Sequence, residues 1–248
     1  MPDTNEPVSR RAVLLMCAGA VGSGALGRRM PEQPPLTRAD AMMDHLLLGA
    51  ADLDRGIDWV EKTTGVRAAI GGVHPGRGTR NALLSLGGRQ YLEIIAPDPA
   101  QPPANLTMNL RGLTEPRLIG WAAAASDIDR LAKNISGQGL QIFGPRDGSR
   151  ARPDGKTLKW RTLAAATTFG GGDVDPIPFF IQWSADSLHP SQDSPPGCRL
   201  AALEFGHPDA DALRTQLRQL GIDAVVRAHK TVRLVSTLDT PKGRTVIA

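Results

Sequence analysis

The chain has 248 residues, 41% hydrophobic and 22% charged, ordinary proportions for a globular protein long enough for one large domain or two small ones. The net charge of +4 and pI of about 9.4 come from Lys and Arg scattered among nearly as many acids, and aromatics are only 4%, so no nucleic-acid partner is expected. The two cysteines, Cys17 in an apolar N-terminal run and Cys198 in the body, exclude an internal disulfide once a leader is removed, and exclude cysteine-based metal sites.

Ser9-Arg10-Arg11-Ala12-Val13-Leu14-Leu15 precede an apolar run, Met16 to Leu26, rich in Ala and Gly. A charged start, a short apolar stretch and small residues after it describe a signal peptide, too short for a comfortable membrane span. The paired arginines and the mild hydrophobicity resemble a twin-arginine leader; a basic tail or an uncleaved anchor is the alternative. Residues 1–30 are assigned to the leader and 31–41 to a linker. The resemblance implies the twin-arginine translocation machinery as a partner and a periplasmic or extracellular location.

Three segments of the body then share one grammar. Asp44-His45-Leu46-Leu47-Leu48-Gly49 reads as a strand, followed by Asp52-Leu53-Asp54 and a helix with Leu53, Ile57 and Val60 on one face, closing at Gly65. Leu118 to Ala123 precede Asp127-Ile128-Asp129 and a helix with Ile128, Leu131 and Ile135, closing at Gly137. Leu200 to Phe205 precede Asp209-Ala210-Asp211 and a helix with Leu213, Leu217 and Leu220, closing at Gly221. Each Asp is placed to cap a helix N-terminus, each Gly to take a left-handed C-terminal position, and the spacing gives each helix one buried face.

Strand-like runs follow each helix: Val66 to Ile70, Asn81 to Leu86 and Tyr91 to Ile95; Thr157 to Ala164 and Phe179 to Trp183; Asp223 to Arg227, Thr231 to Leu238 and Arg244 to Ala248. The pattern predicts an α+β fold of repeated βαβββ modules, with curved mixed sheets around a central cavity and helices on the outer face. Modules are placed at 42–97 and 117–185, within a domain at 42–190, with a third, partial module at 198–248.

Asp44-His45-Leu46-Leu47-Leu48 with Asp52-Leu53, the run Gly71-Gly72-Val73-His74-Pro75-Gly76-Arg77-Gly78-Thr79-Arg80-Asn81, and Tyr91-Leu92-Glu93-Ile94-Ile95-Ala96-Pro97 resemble the glyoxalase-like branch of the vicinal-oxygen-chelate superfamily. Gly120-Trp121-Ala122 and Pro178-Phe179-Phe180-Ile181-Gln182-Trp183 echo the pattern more weakly.

That resemblance implies a small-molecule pocket and, in metal-dependent relatives, one ligand from the first and one from the last strand of each module. Carried over, His45 and Glu93 are the catalytic or metal-holding pair for a divalent Zn, Fe, Ni or Mn, while Trp121 and Gln182 stand where the second module's ligands would be. Trp cannot ligate through its N–H and Gln is a weak neutral ligand. Glu204, His189 and His207 are alternative third ligands. Without a metal, His45 and Glu93 could act as a base and its orienter.

The Gly-rich stretch with His74, Arg77, Arg80 and Asn81 offers main-chain N–H groups and forked donors to an anionic group; a turn-rich connection with solvated charges is the bland alternative. His74, Arg77, Asn81, Trp121 and Gln182 are thus the candidate substrate-binding residues. No Gly-x-Ser-x-Gly elbow is present, which disfavours a serine hydrolase. The expected function is an exported protein binding a small anionic oxygenated molecule, acting as a lyase, isomerase or dioxygenase. A non-catalytic binding protein with a degenerate metal site is the rival. A homodimer is compatible with either.

Overall fold

The computed structural model describes residues 35–248 apart from 107, 153, 168 and 170–172. The leader at 1–30 and the start of the linker therefore lie outside the described residues. Within them, no helix is long and apolar enough to cross a membrane.

The first elements are β1 (Thr37–Arg38), α1 (Ala39–Met42), β2 (Met43–Gly49), α2 (Leu53–Thr64), β3 (Ala69–His74), β4 (Thr79–Ser85) and β5 (Tyr91–Pro97). The second half of the barrel is β6 (Arg117–Ala124), α3 (Ile128–Gly137), β7 (Ile142–Ala151), β8 (Thr157–Ala165) and β9 (Phe179–Trp183). The C-terminal part holds β10 (Arg199–His207), α4 (Ala210–Gln219), β11 (Ile222–Asp223), β12 (Val225–Ala228), β13 (Arg233–Thr240) and β14 (Gly243–Ile247).

The helices start where the aspartates place them. Asp52 accepts from Arg55 N at 2.9 Å, Asp127 from Arg130 N at 2.9 Å and Asp209 from Ala212 N at 3.0 Å, each satisfying an otherwise unpaired N–H of the first turn. Gly65 closes α2 in the left-handed region at φ 82°. The second helix departs from expectation: Gly137 is its last helical residue, and the left-handed position falls at Gly139, φ 82°.

Eight strands form one mixed sheet in the order β3-β4-β5-β2-β6-β9-β8-β7. In each half the first strand runs parallel to the last, β2 with β5 and β6 with β9, and β2 meets β6 antiparallel at the centre. The sheet curls until its edges touch, where Arg150 Nη1 of β7 donates to Gly71 O of β3. The convex face carries α2 and α3, with Leu46, Leu48, Ile94, Trp121 and Phe180 fully buried beneath them and the C-terminal unit.

Two segments differ from the sequence reading. The stretch Gly71 to Asn81 is a hairpin between β3 and β4, with Gly72 opposite Asn81 and His74 opposite Thr79, rather than a connection. Ile142–Ala151 is a strand paired with β8 over most of its length, although its glycines, proline and charges carry no strand signal.

The C-terminal unit keeps the chain order strand, helix, strands, but its sheet runs β12-β10-β13-β14. Its first strand thus lies between the second and third strands after the helix, whereas in the other two units it lies beside the last. Thr37 and Arg38, read as linker, pair with Ile222 and Asp223, because two short edges complete each other's backbone hydrogen bonds. The unit shares the core of the large sheet: Phe205 of β10 lies against Trp121 of β6, ring centroids 5.5 Å apart.

Candidate functional site

The concave side of the sheet holds a continuous chain of buried polar side chains, and a break in strand pairing makes it possible. Along β2, Met43 faces Ala123 but His45 faces Ala122, so Asp44 is the extra residue of a β-bulge. Neighbouring strand residues ordinarily point to opposite faces; the bulge lets the second side chain turn inward. Asp44 and His45 are 2% and 3% exposed. His45 Nδ1 donates to Asp44 Oδ1 at 2.7 Å.

Asp44 Oδ2 accepts twice more, from Trp183 Nε1 at 3.0 Å and His189 Nε2 at 3.1 Å. These donors keep the carboxylate ionised. Burial alone would raise its pKa, but the hydrogen bonds from His189 and His45 and their charge hold it down at about 2. Beyond His189, Nδ1 lies 2.8 Å from Ser191 Oγ, which donates to Gly88 O at 2.9 Å. Ser191, His189 and Asp44 thus follow one another as in a hydrolase relay, but the serine proton is committed to a backbone carbonyl and the residue is buried. The trio fastens the segment around Pro190–Gln192 across the inside of the sheet, where Ser85 Oγ also donates to Ser191 O at 2.8 Å.

In the other direction, His45 Nε2 lies 3.4 Å from Glu93 Oε2. Tyr91, its neighbour across the parallel β2–β5 pairing, stacks on the imidazole with centroids 4.6 Å apart, and Phe179 meets it edge-on at 5.5 Å. Glu93 Oε1 accepts from Asn81 Nδ2 at 2.7 Å and lies 3.5 Å from His74 Nε2. His74 Nδ1 is held 2.8 Å from Thr79 Oγ1. One carboxylate therefore faces the Nε2 atoms of two imidazoles, each fixed by its other nitrogen. Burial pushes Glu93 up, but His74 and His45, the Asn81 donor and Arg150 together bring it below the ordinary glutamate value. Burial lowers His74, aided by Arg150, Arg77 and His45 against the opposing pull of Glu93.

Four of the sequence candidates, His45, Glu93, His74 and Asn81, are therefore brought together. Three are not. Arg77 sits exposed at the hairpin tip. Trp121 is opposite Leu46 on the convex side, fully buried, with Nε1 donating to Pro176 O at 3.0 Å. Gln182 caps α3 from the convex face: Oε1 accepts from Ile128 N at 2.9 Å and Nε2 donates to Ser126 O at 3.1 Å. Of the alternative ligands, Glu204 is paired with Arg227 and His207 with the Asp209 backbone, both on the surface; only His189 joins the cluster. Asp44, Ser191 and Arg150 were missed.

Among the described residues, the second half of the barrel supplies no donor to the chain except Trp183. Its inward positions include Ala122, Phe179, Ile181 and Trp183, with Trp160, Thr162 and Ala164 beside them on β8. Among the described residues no three His, Cys, Asp or Glu side chains are arranged to hold a metal ion. His45 and Glu93 are two ligands without a partner from the second module, so the donor set does not fit the divalent metal implied by the family resemblance.

A family model described as a glyoxalase-like domain matches residues 43–221. The chain belongs to the glyoxalase-like domain family. A hypothetical protein from Staphylococcus aureus superposes on this glyoxalase-like chain with TM-score 0.61 at 15% identity, over 77% of this chain and 87% of the other, a likeness of fold. Methylmalonyl-CoA epimerase from Mycobacterium tuberculosis aligns at TM-score 0.38 and 19% identity, over 59% of this chain and 89% of its own. A hypothetical protein from Bacillus halodurans aligns at TM-score 0.40 and 13% identity, over 59% and 95% respectively. No curated protein sequence matches the chain.

Two hollows accompany the glyoxalase-like sheet. One of about 50 Å³ is walled by Ala69, Ile70, Gly71, Leu83, Arg150, Arg152, Leu158 and the 190–194 segment. A wider groove of about 500 Å³, lined by Ser85, Gly87, Cys198, Arg199, Asp239 and Pro241 among others, contains none of Asp44, His45, His74, Asn81, Glu93 and His189.

Proposed function

We propose that this glyoxalase-like protein binds a small oxygenated molecule on the concave side of the sheet and moves a proton on it through Glu93, with His45 and His74 as the groups that hold and return that proton. The supporting observation is the Glu93 carboxylate facing two anchored Nε2 atoms. With Asp44 ionised, His45 Nδ1 donates to it, which turns Nε2 toward Glu93 Oε2, 3.4 Å away. A carboxylate facing an oriented imidazole in a buried setting is suited to taking hydrogen from a carbon beside a carbonyl and delivering it elsewhere. Isomerase and lyase steps both begin this way. The export signal read at Ser9-Arg10-Arg11 makes this an activity outside the cytoplasm.

Deuterium wash-in tests the reading. The full chain is incubated in D2O with short 2-oxo and 2-hydroxy acids, and loss of the carbon-bound hydrogen is followed by NMR. Wild type is expected to catalyse exchange, and Glu93→Gln to lose roughly 100-fold or more, the usual contribution of a positioned base. Because His74, His45, Asn81 and Arg150 hold Glu93 below the ordinary glutamate value against its burial, Glu93 stays ionised at neutral pH and the activity falls as pH drops below the ordinary glutamate range. Equal exchange in wild type and Glu93→Gln removes the reading. The apolar second half, Phe179, Ile181 and Trp183, favours one other function, binding without turnover; ligand binding with no exchange in wild type selects it.

A further inference from the structure

Arg150 is the one strongly buried guanidinium among the described residues, 5% exposed, and it has no carboxylate within 4 Å among them. Its single recorded hydrogen bond runs from Nη1 to the Gly71 carbonyl. The neighbouring Arg152 is fully matched, by Asp154 and Asp193. A buried charge without a partner is costly, and proteins keep one where something else supplies the counter-charge. Burial accordingly pushes Arg150 down, while the charges of Glu93 and Asp193, both beyond ion-pair distance, pull the other way.

The guanidinium borders the hollow of about 50 Å³, room for about three waters or one carboxylate group. Exposed Ile70 stands at its edge, and Leu83, the cross-strand partner of Glu93, forms part of its wall. The backbone is bare there: a methyl on Gly71 would run into Asn81 Oδ1, and one on Gly72 would lie 2.9 Å from Ala151 O and 3.1 Å from Arg150 Nη1. Asn81 Oδ1 packs against Gly71, buried and without a hydrogen-bond partner, and lies outside the wall of the hollow.

We infer that Arg150 and the hollow at Gly71 form a subsite for the carboxylate of a small organic acid. The planar fork of an arginine matches a carboxylate better than a point cation does, and the hollow is too small for a bulky anion. This deepens the reading given above, since it rests on the barrel interior receiving a ligand, and it narrows the substrate class to short carboxylic acids. The anion anchor thereby moves from Arg77 at the hairpin tip to Arg150 on the far edge strand.

The test is thermal unfolding of the full chain at constant ionic strength with acetate, glycolate, inorganic phosphate or chloride added. A ligand that binds only the folded state raises the melting temperature with concentration. Wild type is expected to respond to acetate and glycolate alike, and little to phosphate or chloride. Arg150→Met should melt higher than wild type without anion, because an unmatched charge has gone, and should lose at least about thirtyfold in apparent carboxylate affinity. Arg150→Lys keeps the charge without the fork and should retain a weakened response. An equal carboxylate response in Arg150→Met, no response in wild type, or a response to phosphate alone overturns the subsite. If the carboxylate response depends on Arg150 while deuterium exchange is absent, the subsite stands and the proton-transfer reading falls.

Discussion

Asp44 holds three donors at once, His45 Nδ1, His189 Nε2 and Trp183 Nε1, and almost every polar contact inside the sheet passes through it or one neighbour. Its pKa lies at about 2 against 3.8 for a free aspartate. The unfolded chain therefore binds the proton first, and stability rises with pH across that interval. The contribution is complete above the unfolded value, amounts to about 2 kcal/mol, and is lost as pH falls from about 4 to about 2. Asp44→Asn should cost roughly 3 kcal/mol at pH 7, because an amide N–H then confronts a donor. Urea unfolding at pH 7, 4 and 2.5 checks this: the gap between wild type and Asp44→Asn should close at the acid end, and a constant gap would show that Asp44 is not held ionised. His45 and Glu93 were legible in the sequence because family-type strands carry them inward. Asp44 was not, because a residue next to His45 on a regular strand faces the other way. Arg150 was hidden for another reason: it lies on a strand that its own residues do not announce.

At the scale of elements, α2 is set by Gly56. A methyl there would stand 2.7 Å from Ile94 Cγ2 and 2.9 Å from Ala50 Cβ, so the helix lies closer to β5 than any side chain would allow. Helix propensity alone predicts a gain of about 1 kcal/mol for Gly56→Ala, while overpacking a tight core costs about 1–3 kcal/mol. Packing should win, and Gly56→Ala should lower stability in denaturant unfolding by about 1 kcal/mol; a gain would mean that α2 can slide outward freely. The helices were legible because capping aspartates and apolar spacing are local signals. The hairpin of β3 and β4 and the strand β7 were not. Their residues, Gly71, Gly72, Gly144, Pro145 and Gly148 among them, have poor strand propensity, and only the neighbouring strands fix them.

For the whole molecule, the C-terminal unit serves as a cover. Phe205 and Trp121 meet at the join, with Leu203, Leu213, Leu217 and Leu234 in the same core. Phe205→Ala should cost about 3–5 kcal/mol, and because one core runs through both units, far-UV and tryptophan signals should still melt together. Two separated transitions would show that the C-terminal sheet unfolds by itself. The repeated order of strand, helix and strands was visible in the chain, yet the third unit pairs its strands differently, since order along the chain does not dictate order across a sheet.

The bulge on β2 has one more consequence. Met43 and His45 already face consecutive partners on β6, so the ladder makes no use of Asp44 and would run on from Met43 to His45 without it; its other irregularity lies further along, between Leu47 and Leu48. The pairing frame and the chemistry of the interior are therefore separable in this strand. Evolution could insert or delete the orienting carboxylate as a single codon and leave all seven other strands in register.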